Sequence, residues 1–109
     1  MTRTPQVKVP RRARVGDVVL VRAKLRHPME TGWRKNARGE TVPRNRVYEF
    51  RCDLDGDEMF RADLHAGVST DPYIAFHVKA ARSGTFTFRW LEDGGEVYTA
   101  AAEMEVTST

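Results

Sequence analysis

The chain contains few residues that could take part in covalent chemistry: one cysteine, Cys52, and three histidines, His27, His65 and His77. A reactive cysteine needs an accessible, electropositive setting that lowers the pKa of its thiol. Cys52 lies in an alternating run, on the same side as Phe50, which predicts a small buried hydrophobic residue. We therefore expect no nucleophilic cysteine. A single thiol also excludes an internal disulfide.

Metal binding is the second chemistry to consider, because blue-copper sites combine two His, one Cys and often a Met. The only thiol here is followed by a hairpin turn rather than a ligand loop, and His77 points to the side opposite Phe76. A zinc site built from His27, His65 and a carboxylate is an open alternative. No Gly-x-Ser-x-Gly elbow or phosphate-binding glycine motif occurs. Otherwise we expect no metal, no cofactor and no catalytic residue.

Charge is distributed unevenly along the 109 residues, whose net charge is +3. Residues 1–50 contain 13 Lys/Arg and 4 Asp/Glu, whereas residues 51–109 contain 5 Lys/Arg and 11 Asp/Glu. This polarity favours charge-complementary partners, unless a sheet interleaves the two halves and mixes their charges. The basic half, with Trp33 to stack on a base, would suit nucleic acid. The acidic outward positions of the second half oppose that partner, so we expect no nucleic acid.

Apolar and polar residues alternate with a period of two through most of the chain, which predicts β-strands. Seven strands are expected, with no helix of three turns, and turns at Asp55-Gly56-Asp57 and Glu92-Asp93-Gly94-Gly95 separate some of them. The expected inward-facing residues are Val7 and Val9; Val19, Val21, Ala23 and Leu25; Tyr48, Phe50, Cys52 and Leu54; Phe60, Ala62 and Leu64; Ile74, Phe76 and Val78; Phe86, Phe88 and Trp90; and Tyr98, Ala100, Ala102, Met104 and Val106.

Seven short strands with one apolar face each must bury those faces against one another. Two packed sheets do so economically, so the sequence predicts an all-β, immunoglobulin-like antiparallel β-sandwich of about seven strands. A barrel of five or six strands is the alternative. The length of residues 1–109 indicates one domain, and without a run of 18 apolar residues we expect no membrane span. The first residues lack the apolar stretch of a secretory signal.

The segment from His27 to Asn45 breaks the alternation and contains two glycines and two prolines. A connection of about 18 residues inside a small domain is longer than usual and is commonly functional. Two interpretations stay open: an open loop, or a long hairpin that turns at Ala37-Arg38-Gly39.

Two apolar residues, Val47 and Met59, fall on the polar side of their strands. If these strands pair, both residues would lie on one surface beside Met29 and Trp33 of the 27–45 loop. Such an exposed apolar patch would be a protein interface.

The loop sequence also resembles that of a known family. The resemblance to the SoxZ family rests on His27-Pro28-Met29-Glu30-Thr31-Gly32, Arg34-Lys35 and Pro43-Arg44-Asn45, and it continues through Ala62-Asp63-Leu64-His65, Pro72-Tyr73 and Ser83-Gly84-Thr85-Phe86. It covers roughly Val7 to Val106. Asp71 is a minor departure, because the family pattern leads us to expect Asn there.

The resemblance implies an immunoglobulin-like, non-catalytic subunit of the SoxYZ sulfur-carrier complex of bacterial thiosulfate oxidation. In that complex SoxY carries sulfur intermediates on a cysteine at the end of a flexible C-terminal arm. The SoxZ subunit binds SoxY as a heterodimer and helps to present the arm to other Sox enzymes, which dock transiently. Co-export with SoxY to the periplasm is also implied. Whether the isolated chain self-associates stays open.

We expect the partner-contacting residues on the 27–45 loop and the adjacent strands. Arg34, Arg44 and Asn45 could make directional hydrogen bonds to a partner. His27, Glu30 and Asn45 could instead hold the loop to the sandwich through turn and backbone hydrogen bonds. The candidates for either role are His27, Met29, Glu30, Trp33, Arg34, Arg44, Asn45, Val47 and Met59. A functional alternative is a standalone β-sandwich that binds a metal or a small ligand.

Overall fold

A computed structural model describes residues 5–64 and 71–108 of the chain. Across these two ranges the backbone forms eight strands, and no helix long and apolar enough to cross a membrane is found there. The strands are β1 (Gln6–Lys8), β2 (Arg12–Arg14), β3 (Val18–Lys24), β4 (Val47–Leu54), β5 (Asp57–Asp63), β6 (Tyr73–Lys79), β7 (Gly84–Glu92) and β8 (Val97–Thr107).

The strands form two sheets that share one apolar core. One sheet has three strands in the order β1-β3-β6, and the other has five in the order β2-β8-β7-β4-β5. Every neighbouring pair is antiparallel except β2 and β8, which are parallel. The prediction of an all-β, immunoglobulin-like sandwich is confirmed. The short strand β2 and its parallel pairing were not predicted.

The N-terminal segment switches between the two sheets. Strand β1 pairs with β3 in the small sheet, and β2, three residues further on, pairs with β8 in the large sheet. Pro10 lies between them, where its fixed φ and missing N–H interrupt a continuous strand ladder. The segment therefore ties the two sheets together along one side.

Large aromatic residues fill the core. Phe50, Phe88 and Trp90 have no exposed surface, and the Phe50 ring centroid is 5.1 Å from that of Trp90 and 6.2 Å from that of Phe76 in the opposite sheet. Cys52 lies in the same core, which confirms its prediction as a buried residue. Burial, with a smaller contribution from the charge of Asp53, raises the pKa of its thiol to about 12.

Two β-bulges change which side chains face the core. The pairing of β4 with β7 shifts register between Val47 and Glu49, and that of β4 with β5 shifts at Met59, which has no opposite partner. An extra residue moves the following side chains to the other face of the sheet. Val47 is therefore buried and Tyr48 exposed. The predicted outward position of Val47 and inward position of Tyr48 were both wrong.

Candidate functional site: the hairpin arm and its base

Residues 27–45 form a long hairpin, which we call the hairpin arm. Glu30 and Asn45 exchange two backbone hydrogen bonds of 2.9 Å at its base, and the Val42 N–H donates to the Arg34 carbonyl at 2.8 Å further out. Of the two interpretations of this segment, the hairpin is therefore the correct one. Backbone pairing between its two antiparallel segments gives the hairpin arm a defined direction away from the sandwich.

The tip of the arm is a tight turn organised by Asn36. Its side-chain oxygen accepts hydrogen bonds from the backbone N–H groups of Arg38, at 2.9 Å, and Glu40, at 3.1 Å. Gly39 has a φ of 77°, in the left-handed region where a residue without Cβ is favoured. The turn thus falls at the position predicted from the sequence.

His27 fixes the start of the arm through four hydrogen bonds. Its backbone N–H donates to the Asp71 carboxylate and its carbonyl accepts from the Asp71 N–H, both at 2.8 Å. In the ring, Nδ1 accepts from the Met29 N–H at 2.9 Å, and Nε2 lies 2.6 Å from a Glu92 carboxylate oxygen. Because Nδ1 is an acceptor, the proton is assigned to Nε2, which donates to Glu92. His27 therefore joins three separate segments.

Glu92 is the acceptor at the other end of this hydrogen-bond network. Its carboxylate is buried and accepts from His27 and, at 2.8 Å, from the Tyr98 hydroxyl. Burial alone would raise the pKa of this carboxyl, but hydrogen bonds from His27, Tyr98 and Asn45 outweigh it and hold the pKa below its ordinary 4.5. The base of the arm thus contains an ionised carboxylate that these hydrogen bonds stabilise.

Met29 completes the base in a strained conformation. Its φ is 52°, a left-handed value that costs an unbranched L-residue roughly 1–2 kcal/mol. The side chain is buried, and its sulfur accepts from the Val47 N–H at 3.4 Å. Burial and the hydrogen bond to His27 therefore maintain the sharp bend with which the arm leaves the sandwich.

The exposed patch predicted from Met29, Trp33, Val47 and Met59 does not exist. Met29 and Val47 are buried at the base of the arm. Met59 lies opposite a part of β4 that is about five residues, or roughly 17 Å, further along the strand than Val47. There it lines a cleft of about 200 Å³ together with Val78. Only Trp33, which is 87% exposed, projects from the arm as an interface residue would.

Both candidate arginines, Arg34 and Arg44, are paired with carboxylates but stay accessible. The Arg34 guanidinium binds both carboxylate oxygens of Glu30 at 2.8–3.1 Å, and these hydrogen bonds hold the pKa of Glu30 below its ordinary value. Arg44 lies 3.3 Å from the Asp93 carboxylate. The two arginine side chains are 59% and 58% exposed. Each pair limits the rotamers of its arginine and leaves most of the guanidinium open to a partner.

Sequence reasoning missed the residues of the sandwich that hydrogen-bond to the base of the arm. Glu92 accepts from His27, Asp71 holds its backbone, and Asp93 accepts from the N–H of Arg46 at 3.2 Å. One signal was available, because Glu92 follows Trp90 by two residues and thus continues the inward-facing side of its strand. An acidic residue at an inward-facing position needs a buried donor.

Metal chemistry has no support among the side chains of residues 5–64 and 71–108. No group of three or more His, Cys, Asp and Glu there is arranged to hold a metal ion. His65, a ligand in the zinc alternative, lies outside the described residues. His77 is exposed on β6, as its position in the alternating pattern predicts.

Comparison with known families identifies the chain. A family model described as sulphur oxidation protein SoxZ matches residues 7–103. The chain belongs to the SoxZ family. The resemblance inferred from the loop sequence is confirmed, and the family places the chain in the Sox sulfur-oxidation system. No curated protein sequence matches the chain.

Solved structures share the fold of this SoxZ-family chain. A superoxide reductase (neelaredoxin) from Ignicoccus hospitalis superposes with a TM-score of 0.71 and 17% identity, covering 95% of this chain and 80% of the other. The sulfur carrier protein SoxY from Chlorobium limicola gives 0.66 and 16%, over 95% and 79%. A CARDB domain from Pyrococcus furiosus, in complex with di-metal ions, gives 0.54 and 16%, over 97% and 88%. At these identities the similarity shows the fold alone.

Proposed function

We propose that this chain is the non-catalytic subunit of a SoxYZ sulfur-carrier complex. It binds SoxY as a heterodimer and helps to present the C-terminal cysteine arm of SoxY to other Sox enzymes. The family match over residues 7–103 carries this proposal. Cys52 supports it, because a fully buried thiol with a pKa of about 12 has neither the access nor the thiolate form needed to bind sulfur intermediates. Another chain must then supply the reactive sulfur.

The hairpin arm is the surface we propose for partner contact. Trp33 is exposed, and Arg34 and Arg44 are each oriented by a carboxylate. Trp and Arg are the residue types enriched among the energetically dominant residues of interfaces. Because the base of the arm is already fixed, less conformational entropy is lost when a partner binds its outer part.

A rigid companion suits the mechanism of a mobile carrier. A flexible arm that holds a substrate covalently can visit several active sites, and tethering raises the local concentration of substrate at each of them. The described part of this chain is a packed sandwich with an anchored hairpin, so it would supply shape and recognition while SoxY supplies mobility. Docking with each Sox enzyme would be transient.

Co-expression with a SoxY chain that ends in Gly-Gly-Cys-Gly-Gly tests the proposal. We expect a one-to-one complex by size-exclusion chromatography with light scattering. After incubation with thiosulfate and the Sox enzymes, intact-mass analysis should find the sulfur adduct on SoxY and not on Cys52. A matched Cys52→Ala variant should form the same complex and support the same turnover. Sulfur on Cys52 would refute the proposal. Absence of the complex together with a stoichiometric metal would instead support the standalone binding domain.

Periplasmic localisation by co-export with SoxY is part of the same proposal. Fractionation of cells that express both chains should recover this chain in the periplasm. Deleting the export signal of SoxY should move both chains to the cytoplasm. Periplasmic recovery of this chain without SoxY would contradict co-export.

A further inference from the structure

The outer face of the three-stranded sheet is strongly basic. Strands β1, β3 and β6 contain no Asp or Glu, and their side chains alternate between the core and solvent. Four exposed cations project outward, and together we call them the cationic face: Lys8, Arg22, Lys24 and Lys79. Within the described part of the chain, none of the four forms an ion pair.

The strand register brings two of these cations directly together. Lys8 of β1 lies opposite Arg22 of β3, and Lys24 is two residues further along β3 on the same face. Like charges directly opposite one another destabilise a sheet, and no carboxylate of these strands offsets the repulsion. The folded protein therefore retains an arrangement that stability alone does not favour.

On the outer face of the five-stranded sheet, by contrast, arginines are paired with carboxylates. Arg51 and Arg61 both bind Glu49, at 2.9 and 2.5 Å, and Arg89 binds Asp53 at 2.6 Å. Its central arginines thus have carboxylate partners on the same face. The uncompensated charge of the cationic face is a local feature and does not simply follow from the net charge of +3.

We infer that the cationic face is an electrostatic docking surface for acidic surfaces of the Sox enzymes that load and unload the carrier. The inference rests on the proposed carrier function and adds the chemistry of the transient partner. Three of the cations, Lys8, Arg22 and Lys24, lie about 5–7 Å from a neighbour and can meet several carboxylates at once. Unpaired exposed charges of one sign accelerate encounter with an opposite surface more than they strengthen the final complex.

Other occupants fit this face less well. The core of a tight interface is depleted of charged residues, Lys in particular, so the permanent contact with SoxY is better placed elsewhere. Single-stranded nucleic acid requires aromatic residues on which successive bases stack. Tyr73 is the one exposed Phe, Tyr or Trp in the three strands of this sheet. An acidic protein surface needs only the charges, which are present.

The test compares two double variants of the intact SoxYZ complex that remove the same number of charges. Lys8→Gln with Arg22→Gln removes the two directly opposed charges of the cationic face and leaves Lys24 and Lys79. Arg11→Gln with Arg12→Gln is the control, because these exposed residues lie beside Glu105 on the other sheet.

Stopped-flow measurement of association with purified Sox enzymes should show a rate about tenfold lower for the first variant at 20 mM salt. The loss should shrink to less than about twofold at 0.5 M salt, where charges are screened. The control should stay within about twofold of wild type throughout.

Equal rates for wild type and the first variant, or an equal loss in the control, would overturn the inference. A second measurement separates this failure from failure of the carrier function. Poly-glutamate should retain the isolated wild-type chain at low salt and retain the Lys8/Arg22 variant less, even if no SoxYZ complex forms. Binding of a single-stranded oligonucleotide that depends on Lys8 and Arg22, without retention by poly-glutamate, would overturn the inference in favour of nucleic acid.

Discussion

The base and the outer part of the hairpin arm are built on opposite principles. At the base, His27 and Glu92 are buried and each makes several hydrogen bonds. On the outer part, Trp33 is exposed, and the one described partner of the Arg34 side chain within residues 5–64 and 71–108 is its neighbour Glu30. The comparison indicates that stability is concentrated where the arm leaves the sandwich. The exposed side chains further out can then be used for recognition without loss of the fold.

The strongest test of this comparison is His27→Ala. The change leaves the buried Glu92 carboxylate with fewer donors and removes the acceptor of the Met29 N–H. We expect the free energy of unfolding to fall by about 2–3 kcal/mol, measured by urea denaturation. His77→Ala on an exposed strand position is the matched control and should change it by less than about 0.5 kcal/mol. Similar effects of the two substitutions would show that the base of the arm has no special role in stability.

Trp33→Ala should have its effect on binding instead. We expect the affinity for SoxY to fall about 30-fold, or roughly 2 kcal/mol, if Trp33 is a dominant interface residue. The melting temperature should change by less than about 2 °C, because an exposed side chain contributes little to the core. Val15→Ala, at an exposed apolar residue between β2 and β3, is the control, and titration calorimetry provides the measurement. Unchanged affinity would remove the arm from the SoxY interface.

Arg44→Ala sharpens the boundary between the two parts of the arm, because Arg44 is accessible and also paired with Asp93. An exposed ion pair contributes at most about 1 kcal/mol, so we expect nearly unchanged thermal stability. Carrier turnover should fall several-fold if the guanidinium contacts a partner. Melting at a clearly lower temperature, with normal turnover, would assign Arg44 to the base.

The smallest expected effect is a pH dependence at the base. The pKa of Glu92 in the folded protein lies below 4.5, so in this range the unfolded chain binds more protons. The stabilisation is therefore complete above pH 4.5 and is lost as the pH falls through the lower folded value. Urea midpoints of wild type and Glu92→Gln should converge between about pH 5 and pH 3. Glu30 is unchanged in both proteins, so its own titration cancels. A constant difference across this range would contradict an ionised Glu92.

Local periodicity was sufficient to predict most of the sandwich. In runs such as the one around Phe86 and Phe88, the alternation of apolar and polar residues indicates clearly which side faces the core. The burial of Cys52 was predicted from the same alternation. The error at Met59 was its distance along the strand from Val47, whereas those at Val47 and Tyr48 have one cause. A β-bulge depends on how two strands fit together, and neither strand encodes it alone.

The anchor of the arm was only partly accessible to sequence reasoning. His27 was recognised as a candidate, but its partner Glu92 is 65 positions away and Asp71 is 44 positions away. No local pattern connects residues at such separations before the fold is known. The role of Trp33 in partner contact is likewise a prediction, since it depends on a surface that belongs to another chain.

The position of Cys52 has a consequence for chemical stability near sulfane compounds. A thiolate at the surface would exchange with persulfides and polysulfides and become covalently trapped as a mixed disulfide. Enclosure among aromatic rings protects this residue from that side reaction. Alkylating reagents applied to the proposed SoxYZ complex should accordingly label SoxY and spare Cys52.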